Sequence, residues 1–562
     1  MFLKSIESRK KIFAIVFSIL LFVVLIFLST GYSKKGTGIF YIRINQLGFL
    51  PEDLKTGIIL SNSEMVYKKF DVVNIDSNKT VYSDIIKNAA GDWGDYKFNY
   101  IIDFSPVKEK GNYVVEIDGK KSFKFRIAKN LYNELADSLL KFFRVQRCGP
   151  TDPFLHAVCH LYDVPLVIGD TSVTQVDVTG GWHDAGDYIK FLTTSAYTTY
   201  LLLFTYEFHK DKFEFDHNKN GVPDILEEAK VGIDWMLRCN YKKGKLITQV
   251  MDKRDHEVAW RLPEDDPLKY ERTAYVGMGK NQIGMFAAVM SLASRIWKER
   301  FSDNVFSKKC LDAAIDLYSI RDKVPDVDSN QSGMYQDKNY LGKLALGAIE
   351  LYNTTHQQNY LDDAVFYGDK AKSDYWWSWG DINSLADYRI AKYIPRFGEY
   401  LENNLRKFNE NKNNSVFGEG SSFTWGSTNT FFGIALQAIL WKDLTGGNEY
   451  DSLCVFQRDY ILGKNPWGLS FIYKIGTSYP KNLHSQVAYF KNGYLPGAVT
   501  AGPAPKVLLD NYKIKRENFR YNLFNSADVL YFDDRNDYIT NEPTIVCNAT
   551  ALFVTGYYFS KK

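Results

Sequence analysis

Residues 180–191 read Gly-Gly-Trp-His-Asp-Ala-Gly-Asp-Tyr-Ile-Lys-Phe and combine two carboxylates, an imidazole and aromatic rings around a glycine-rich bend. A pair of carboxylates on one turn, here Asp184 and Asp187, is suited to acid–base chemistry. The same residues also suit an ordinary turn, because aspartate caps helices and glycine adopts positive φ at little steric cost. The remainder of the chain decides between these two interpretations.

Four further motifs follow this turn in a fixed order. They are Gly463-Lys-Asn-Pro-Trp-Gly468, His484, Leu495-Pro-Gly-Ala498 and Asn541-Glu-Pro543. Together with the turn, they resemble glycoside hydrolase family 9, in the branch that carries an N-terminal immunoglobulin-like module. The resemblance covers residues 36–562. It implies an all-β immunoglobulin-like sandwich followed by an all-α (α/α)6 barrel catalytic domain.

The composition is compatible with a carbohydrate-active enzyme of more than one domain. A chain of 562 residues exceeds the length at which a single core stops growing, so we expect at least two domains. Aromatic residues make up 15% of the chain, and such rings stack well on sugars. The 69 basic and 66 acidic side chains give a net charge of +3, without a basic block that contains aromatic residues. Nucleic acid is therefore not an expected partner.

Residues 1–35 predict a signal peptide or an N-terminal membrane anchor. Basic residues at positions 4 and 9–11 precede an apolar run over residues 12–28. The 17 residues of this run exceed the about 7–15 of a signal-peptide core and reach the lower limit of about 17 for a membrane span, so cleavage and membrane attachment both stay open. The positive charges keep the N-terminus inside. We therefore expect an exported protein, either secreted or anchored at the cell surface.

Two domains are predicted after this segment. Residues 36–128 contain seven short runs rich in β-branched and aromatic residues, which predict a small sandwich. Such a domain could bind sugar, but we expect it to support the catalytic domain. Residues 129–562 contain about a dozen amphipathic runs with helical spacing, which predict an all-α domain. Periodicity alone does not distinguish a barrel from another helical array, so the (α/α)6 barrel rests on the resemblance.

The resemblance assigns catalytic roles to three carboxyl groups of an inverting glycoside hydrolase. Asp187 is the general base, Asp184 helps to position the attacking water, and Glu542 is the general acid. Inversion needs a protonated carboxyl group and a carboxylate about 6.5–9.5 Å apart across the sugar. Partial desolvation would raise the pKa of Glu542 and keep it protonated. The alternative for Glu542 is a capping residue at a helix N-terminus.

Aromatic and polar residues of the family loops are candidates for substrate binding. They are Trp425, Asn465, Trp467, His484, Gln486 and Tyr538. Tryptophan rings would stack on sugar faces, and polar side chains would bind hydroxyl groups. A further cluster, Trp376, Trp377 and Trp379, fits core packing equally well.

One loop departs from the family pattern and leaves the substrate open. Cellulases of the family usually show Pro-x-x-x-His-His-Arg where this chain has Pro480-Lys-Asn-Leu-His-Ser-Gln486. A neutral amide in place of a guanidinium changes what the nearest subsite holds. The leading hypothesis is an endoglucanase that cleaves β-1,4-glucosidic bonds of cellulose-type glucans. The alternatives are an exo-acting β-glucosidase or exo-β-glucosaminidase on cello- or chitosan oligosaccharides, and a non-catalytic surface glycan-binding protein.

A calcium loop is predicted ahead of one helix. Its candidate ligands are Asp216, Asn218, Asn220, Val222 through its carbonyl, Asp224 and Glu227, with Gly221 at the sixth position. A polar turn before a helix is the alternative. Many family members carry an acidic pair for another calcium site where this chain has Gly342-Lys343, so we do not predict that second site.

The cysteines raise a choice between zinc and a disulfide. Cys148, Cys159, His160 and His183 would make a closed tetrahedral zinc set, which several modular family 9 enzymes carry at these positions. A disulfide between Cys148 and Cys159 is the alternative. The other four cysteines are expected to be buried thiols. The remaining histidines, at positions 156, 209, 217, 256 and 356, are assigned no role.

Overall fold

The computed structural model describes residues 38–163, 166–328, 334–335 and 337–560. The predicted signal peptide or anchor, with its apolar run at 12–28, lies outside the described residues. Among the residues that are described, no helix is long and apolar enough to cross a membrane.

The N-terminal domain is a β-sandwich, as predicted. Its strands are β1 (Phe40–Arg43), β2 (Gly48–Phe49), β3 (Thr56–Ser61), β4 (Lys69–Asn74), β5 (Lys79–Ile85), β6 (Ala89–Trp93), β7 (Tyr96–Asp103), β8 (Gly111–Ile117), β9 (Lys120–Lys121) and β10 (Phe125–Ile127). One sheet has the order β1-β3-β7-β6, and the other has the order β2-β10-β8-β4-β5, with β9 paired to β8. Side chains such as Ile59, Tyr100 and Val115 fill the space between the sheets. The β-branched and aromatic runs of the sequence thus form the inner faces.

The C-terminal domain is helical. Its helices within the described residues are α1 (Asn133–Gln146), α2 (Leu192–Phe208), α3 (Asp224–Cys239), α4 (Lys280–Phe301), α5 (Asn304–Tyr318), α6 (Leu341–Thr355), α7 (Gln358–Ala371), α8 (Asn383–Ala391), α9 (Gly398–Asn413), α10 (Ser427–Thr445), α11 (Asp451–Ile461), α12 (Gln486–Phe490), α13 (Lys506–Asn511), α14 (Tyr538–Asn541) and α15 (Ile545–Tyr557). Single-turn 3₁₀ helices lie at Lys210–Lys212, Lys253–His256, Pro263–Asp265, Arg321–Lys323, Pro395–Phe397 and Asn522–Phe524.

Twelve of these helices form two concentric rings. In the inner ring, α2, α4, α6, α8, α10 and α15 contact one another in that order, and α15 returns to α2. Helices α2, α10 and α15 are buried around most of their circumference, as expected for helices that are apolar on every side. Outer helices such as α1 and α3 bury one apolar face. The closed ring confirms the predicted (α/α)6 barrel.

Short strands lie in the loops of the barrel. A four-stranded sheet with the order β11-β14-β13-β12 contains β11 (Leu166–Ile168), β12 (Lys190–Phe191), β13 (Leu246–Met251) and β14 (Thr273–Gly277). A two-stranded ladder pairs β15 (Ala504–Pro505) with β16 (Val529–Leu530). The periodicity of the sequence did not predict these strands, because four of them have only two or three residues, and β13 and β14 are buried on both faces and show no alternation.

Two adjacent inner helices bring the candidate carboxyl groups together. The 180–191 turn leads directly into α2, and Glu542 lies three residues before α15. The two helices pack side by side in the inner ring. Their N-terminal ends, and the loops that precede them, therefore lie at the same end of the barrel, although about 350 residues of sequence separate them.

A buried polar interface joins the two domains. Asn45 donates its side-chain amide to Asp459 Oδ1 at 2.8 Å, and Asp53 Oδ2 lies 3.0 Å from an Arg458 guanidinium nitrogen. Gln46 also donates to the Gly468 carbonyl oxygen at 2.9 Å. The last sandwich strand ends at residue 127 and the first barrel helix begins at residue 133, on either side of the predicted boundary at 128/129.

Candidate active site

A cavity of about 390 Å³ lies at the barrel end that holds the 180–191 turn. Asp184 and Glu542 both line it, together with the indole rings of Trp376, Trp379 and Trp425. Carboxyl groups beside aromatic faces are the combination that a sugar-cleaving site requires, because the rings hold the pyranose and the carboxyl groups move protons.

Asp184 is buried at the edge of the turn. Its Oδ1 accepts a hydrogen bond from the Thr194 hydroxyl, and its Oδ2 accepts one from the Tyr335 hydroxyl at 3.3 Å. Burial raises the pKa of Asp184 to about 7, and the nearby charge of Asp187 acts in the same direction, while the two hydroxyl groups oppose this rise. The Asp184 carbonyl oxygen accepts from Ile545 N at 3.1 Å, which ties the turn to the start of α15.

Asp187 is held from two sides. Its Oδ1 accepts from Ile189 N at 3.1 Å, and its Oδ2 lies 2.9 Å from His256 Nε2. This hydrogen bond to Asp187 raises the pKa of His256, with burial acting in the opposite direction. Sequence reasoning gave His256 no role. Nothing in the local pattern shows the contact, because 69 residues separate the two partners and only the fold brings them together.

Glu542 points back toward the same turn. Its Oε1 accepts from Gly186 N at 3.1 Å. Burial, together with the charges of Asp187 and Asp184, raises the pKa of Glu542 well above its ordinary value. A Cβ at Gly186 would lie 2.3 Å from the His484 carbonyl oxygen, so this close approach requires glycine. Helix α15 is instead capped by Thr544, whose hydroxyl accepts from Cys547 N at 3.2 Å, and the capping interpretation of Glu542 does not fit.

Three predicted substrate residues form a row of rings on one wall of the site. Trp425 lines the cavity and is 41% exposed. The Tyr538 ring lies 5.7 Å from the Trp425 ring, and the His484 ring lies 5.7 Å from the Tyr538 ring. His484 Nδ1 is 2.7 Å from the Arg535 carbonyl oxygen, and its Nε2 is 3.9 Å from Glu542 Oε1. The row therefore ends beside the candidate acid.

The other three predicted substrate residues are buried in protein packing. Asn465 donates to the Tyr460 and Leu469 carbonyl oxygens, each at 2.7 Å. Trp467 donates to Asn525 Oδ1 at 2.8 Å and packs against Trp93 of the sandwich. Gln486 accepts from Arg261 N at 3.1 Å. The expectation that Asn465, Trp467 and Gln486 bind substrate is therefore corrected: these side chains satisfy buried backbone and interface groups.

The tryptophan cluster divides between the cavity and the core. Trp376 and Trp379 line the cavity. Trp377 is fully buried and donates its indole N–H to the Tyr197 hydroxyl at 3.1 Å. Core packing therefore holds for Trp377, and substrate stacking stays a prediction for Trp376 and Trp379.

Cys148, Cys159, His160 and His183 meet below the turn, and all four are buried. His160 Nδ1 lies 3.3 Å from His183 Nε2 and 3.7 Å from Cys148 Sγ, and Cys159 Sγ lies 3.9 Å from His183 Nε2. A tetrahedral zinc ion would place such nitrogen pairs about 3.3 Å apart and nitrogen–sulfur pairs about 3.6 Å apart. His160 Nε2 bonds Asp266 Oδ2 at 3.0 Å, which orients the ring. The two cysteines are not paired in a disulfide, and the set fits zinc.

The predicted calcium loop gathers four of its six candidate ligands. Asn218 donates to Glu227 Oε1 at 2.9 Å, and Asn220 donates to the same oxygen. Asp216 accepts from Asn220 N at 3.2 Å and from Gly221 N at 2.7 Å. Val222 N donates to Asn220 Oδ1 at 2.8 Å.

Asp224 differs from the other candidate calcium ligands. Its carboxylate accepts from His217 Nδ1, and Asp137 Oδ1 lies 3.7 Å from the same ring nitrogen. The side chain is therefore engaged outside the group formed by Asn218, Asn220 and Glu227. A direct bond from Asp224 to an ion in the loop would require a change of rotamer.

Comparisons with known proteins agree with this architecture. Residues 132–555 match the model of glycosyl hydrolase family 9, and residues 40–122 match the cellulase N-terminal ig-like domain. Endoglucanase D of Acetivibrio thermocellus is 26% identical over 88% of this chain and 83% of its own length. A xyloglucan-specific endo-β-1,4-glucanase of Bacteroides ovatus is 26% identical over 90% of this chain and 92% of its own length.

Two solved structures share the fold. A metagenome-derived glycoside hydrolase family 9 endoglucanase superposes with a TM-score of 0.81 at 25% identity, covering 93% of this chain and 99% of that one. A Zn-binding triple mutant of the family 9 endoglucanase J30 superposes with a TM-score of 0.80 at 23% identity, covering 91% of this chain and 100% of that one. The chain therefore belongs to glycosyl hydrolase family 9 and is a glycoside hydrolase with an N-terminal immunoglobulin-like domain.

Proposed function

We propose that this protein is an inverting endo-β-1,4-glucanase that acts on cellulose-type glucans, with Asp187 as base, Asp184 as its partner and Glu542 as acid. The observation that carries the proposal is the convergence of Asp184 and Glu542 in one cavity lined by indole rings, with Asp187 on the turn between them. The endoglucanase names of several relatives support the substrate class.

The surroundings of each carboxyl group support its role. Glu542 has a raised pKa, so it holds the proton that the leaving glycosidic oxygen needs. Asp187 accepts the proton of the attacking water, and its hydrogen bond to His256 fixes the direction of the carboxylate. Asp184 accepts from Thr194 on one oxygen and from Tyr335 on the other, and each oxygen keeps a lone pair that can accept from the water.

An exo-acting enzyme on cello- or chitosan oligosaccharides is the second candidate. Gln486, where family cellulases usually carry arginine, accepts from Arg261 N, and the Ser485 hydroxyl accepts from Ala488 N at 3.3 Å. Neither side chain supplies a cation to the cleft. A subsite without that cation favours short substrates held mainly by aromatic stacking.

We further propose two structural metal ions. Zinc would be held by Cys148, Cys159, His160 and His183 as a closed set without an open position. Calcium would be held by Asp216, Asn218, Asn220 and Glu227 with the Val222 carbonyl, and by Asp224 once it leaves His217. Zinc would hold the turn that carries Asp184 and Asp187, and calcium would hold the loop that precedes α3. The catalytic steps belong to the carboxyl groups.

Export is part of the proposal and rests on the sequence of residues 1–35. Secretion and anchoring at the cell surface are distinguished by fractionation of the native host. Full-length protein in the membrane fraction would indicate an anchor, whereas a shortened protein in the medium would indicate cleavage.

Activity assays of the wild type, Asp187→Asn and Glu542→Gln test the mechanism. We expect each variant to lose at least about 1000-fold in kcat on barley glucan with an unchanged fold, because each removes a group that acts in the transition state. Proton NMR of the first product from a cello-oligosaccharide should show the α-anomer, and initial β-anomer would contradict inversion. A product profile over cellulose, barley glucan, cello-oligosaccharides and chitosan oligosaccharides distinguishes the two candidates.

A further inference from the structure

Arg261 is a buried arginine that bridges two carboxylates beside the active site. Only 7% of its side chain is exposed. One guanidinium nitrogen donates to Asp255 Oδ1, and Nε donates to Asp266 Oδ1 at 2.8 Å. Neither carboxylate belongs to the catalytic set. Asp266 also bonds the candidate zinc ligand His160, whereas the ion pair between Arg261 and Asp255 has no role in the mechanism described above.

Asp255 and its neighbour His256 both hold the segment that carries the candidate base. Asp255 Oδ2 accepts from Tyr188 N at 3.3 Å, directly after Asp187 in the chain. His256 Nε2 lies 2.9 Å from Asp187 Oδ2. Both residues belong to the 3₁₀ turn Lys253–His256, so whatever fixes Asp255 also fixes His256.

The backbone of Arg261 contacts the same segment from the opposite direction. Its carbonyl oxygen accepts from the Tyr188 hydroxyl, and its N–H donates to Gln486 Oε1 at 3.1 Å. Gln486 N in turn donates to the Gly186 carbonyl oxygen at 3.2 Å. The guanidinium carbon also lies 5.1 Å from the centre of the Tyr188 ring. Arg261 is thus connected to the residues on both sides of Asp187.

We propose that Arg261 is a positioning residue, which sets the orientation of Asp187 through Asp255 and His256. This inference rests on the proposed function, in which Asp187 is the base. The guanidinium donates to the buried Asp255 carboxylate and balances its charge close to Asp187. It also fixes the 3₁₀ turn, so His256 meets Asp187 in one geometry. Small displacements of a catalytic group have large effects on rate, up to about 100-fold for about 1 Å.

The test compares two buried arginines in the full-length enzyme. Arg389 bridges Glu207 and Glu350 near the C-terminal end of α2, whereas the catalytic turn precedes the N-terminal end of that helix. Arg389→Met is therefore a matched control for the loss of a buried ion pair outside the site. Arg261→Met and Arg389→Met are assayed on a cello-oligosaccharide for kcat and KM, and by calorimetry for Tm.

We expect Arg261→Met to lower kcat by about 10–100-fold and to change KM by less than about twofold, because the bound substrate is still held by the aromatic wall. Arg261→Lys should recover part of the kcat, since it restores a charge but cannot reach both carboxylates. Arg389→Met should lower Tm and leave the kcat of the folded enzyme unchanged. Equal kcat in Arg261→Met and Arg389→Met would overturn the positioning role.

A double-mutant cycle tests the route through Asp255. If Arg261 acts through this carboxylate, Asp255→Asn alone and Asp255→Asn combined with Arg261→Met should lose about the same kcat. Additive losses would overturn that route. If Arg261→Met does not fold, the kcat of Arg261→Lys is compared with that of the wild type. A kcat of Arg261→Lys equal to that of the wild type would then overturn the proposal.

Asp187→Asn, measured in the same assay, separates this inference from the proposed function. If Asp187→Asn is as active as wild type, Asp187 is not the base and both proposals fail. If Asp187→Asn is inactive while Arg261→Met keeps the wild-type kcat, only the positioning role fails.

Discussion

Asp184 illustrates the conflict between stability and function at a single residue. Burial raises its pKa to about 7, whereas an unfolded chain would have a pKa of about 3.9. The folded protein therefore prefers the protonated form. The stability that this preference contributes is present below about pH 4 and is lost as the pH rises toward 7.

We predict that Asp184→Asn stabilises the protein at pH 7 and has no stabilising effect at pH 4. The neutral amide avoids burying a charge, which costs as much as about 4 kcal/mol at pH 7. Denaturant unfolding at both pH values measures the difference. A variant that is less stable than wild type at pH 7 would show that the hydrogen bonds from Thr194 and Tyr335 outweigh the burial of the charge.

The raised pKa of Glu542 determines how kcat/KM should fall at high pH. As the proposed acid it must be protonated, so kcat/KM should fall as the pH rises through its raised pKa. Asp184→Asn removes one of the negative charges that raise this pKa, and the fall should therefore move to lower pH. The residual kcat/KM of this variant is measured from pH 5 to 9 and compared with that of the wild type. If kcat/KM falls at the same pH in both proteins, Asp184 and Glu542 are not coupled.

Trp425 and Trp467 should respond to mutation in different ways, although the sequence suggested the same role for both. Trp425→Ala removes an exposed face of the cavity, and we expect KM to rise with little change in Tm. Trp467→Ala leaves a hole between the domains and should cost about 3–5 kcal/mol of unfolding free energy with KM unchanged in the folded enzyme. Kinetics and calorimetry on both variants check the contrast.

At the scale of elements, the 180–191 turn serves two functions. His183 faces the proposed zinc ligands Cys159 and His160, whereas Asp184 lines the cavity and Asp187 contacts His256. The resemblance to family 9 predicted this division, because it placed Asp184 and Asp187 in the catalytic set and His183 in the zinc set. The sequence did not predict that the Lys253–His256 turn holds Asp187 from the other side. That contact depends on the path of a distant loop.

We predict that loss of zinc weakens the fold and lowers activity together. Cys159→Ser should reduce the zinc content from about one ion per chain to near zero, lower Tm and decrease kcat, since the metal would anchor the backbone next to Asp184. Atomic absorption, calorimetry and kinetics are measured on the same preparation. Cys310→Ser is the matched control, because Cys310 is a buried thiol on α5 outside the candidate zinc set. Zinc in Cys159→Ser at the wild-type level would contradict the assignment.

At the scale of the whole molecule, the sandwich is joined to the barrel by buried charges. Arg458 of α11 is fully buried, and its counter-ions are Asp459 of the same helix and Asp53 of the sandwich. A buried guanidinium without its full set of partners is costly. We therefore predict that the stability of the barrel depends on the sandwich.

We predict that Asp53→Ala destabilises the full-length protein by about 3–5 kcal/mol, because it leaves the Arg458 charge incompletely compensated. Both domains should still unfold in one calorimetric transition that is shifted to lower temperature. Asp76→Ala is the control, since Asp76 lies in the sandwich and bonds Asn112 at an exposed position. Two separate transitions in the wild type would show that the domains are independent.

The order of the two domains and the carboxyl groups proposed as catalytic could be predicted from the linear chain. Local periodicity distinguishes the strands of the sandwich from the helices of the barrel, and the family resemblance of short motifs singles out Asp184, Asp187 and Glu542. Contacts between distant segments could not be read in this way. Whether Trp467 faces sugar or a neighbouring domain, and whether His256 meets Asp187, depends on how the helices of the barrel bring separate loops together. The physical reason is that periodicity records which face of an element is buried, whereas only packing determines what that face is buried against.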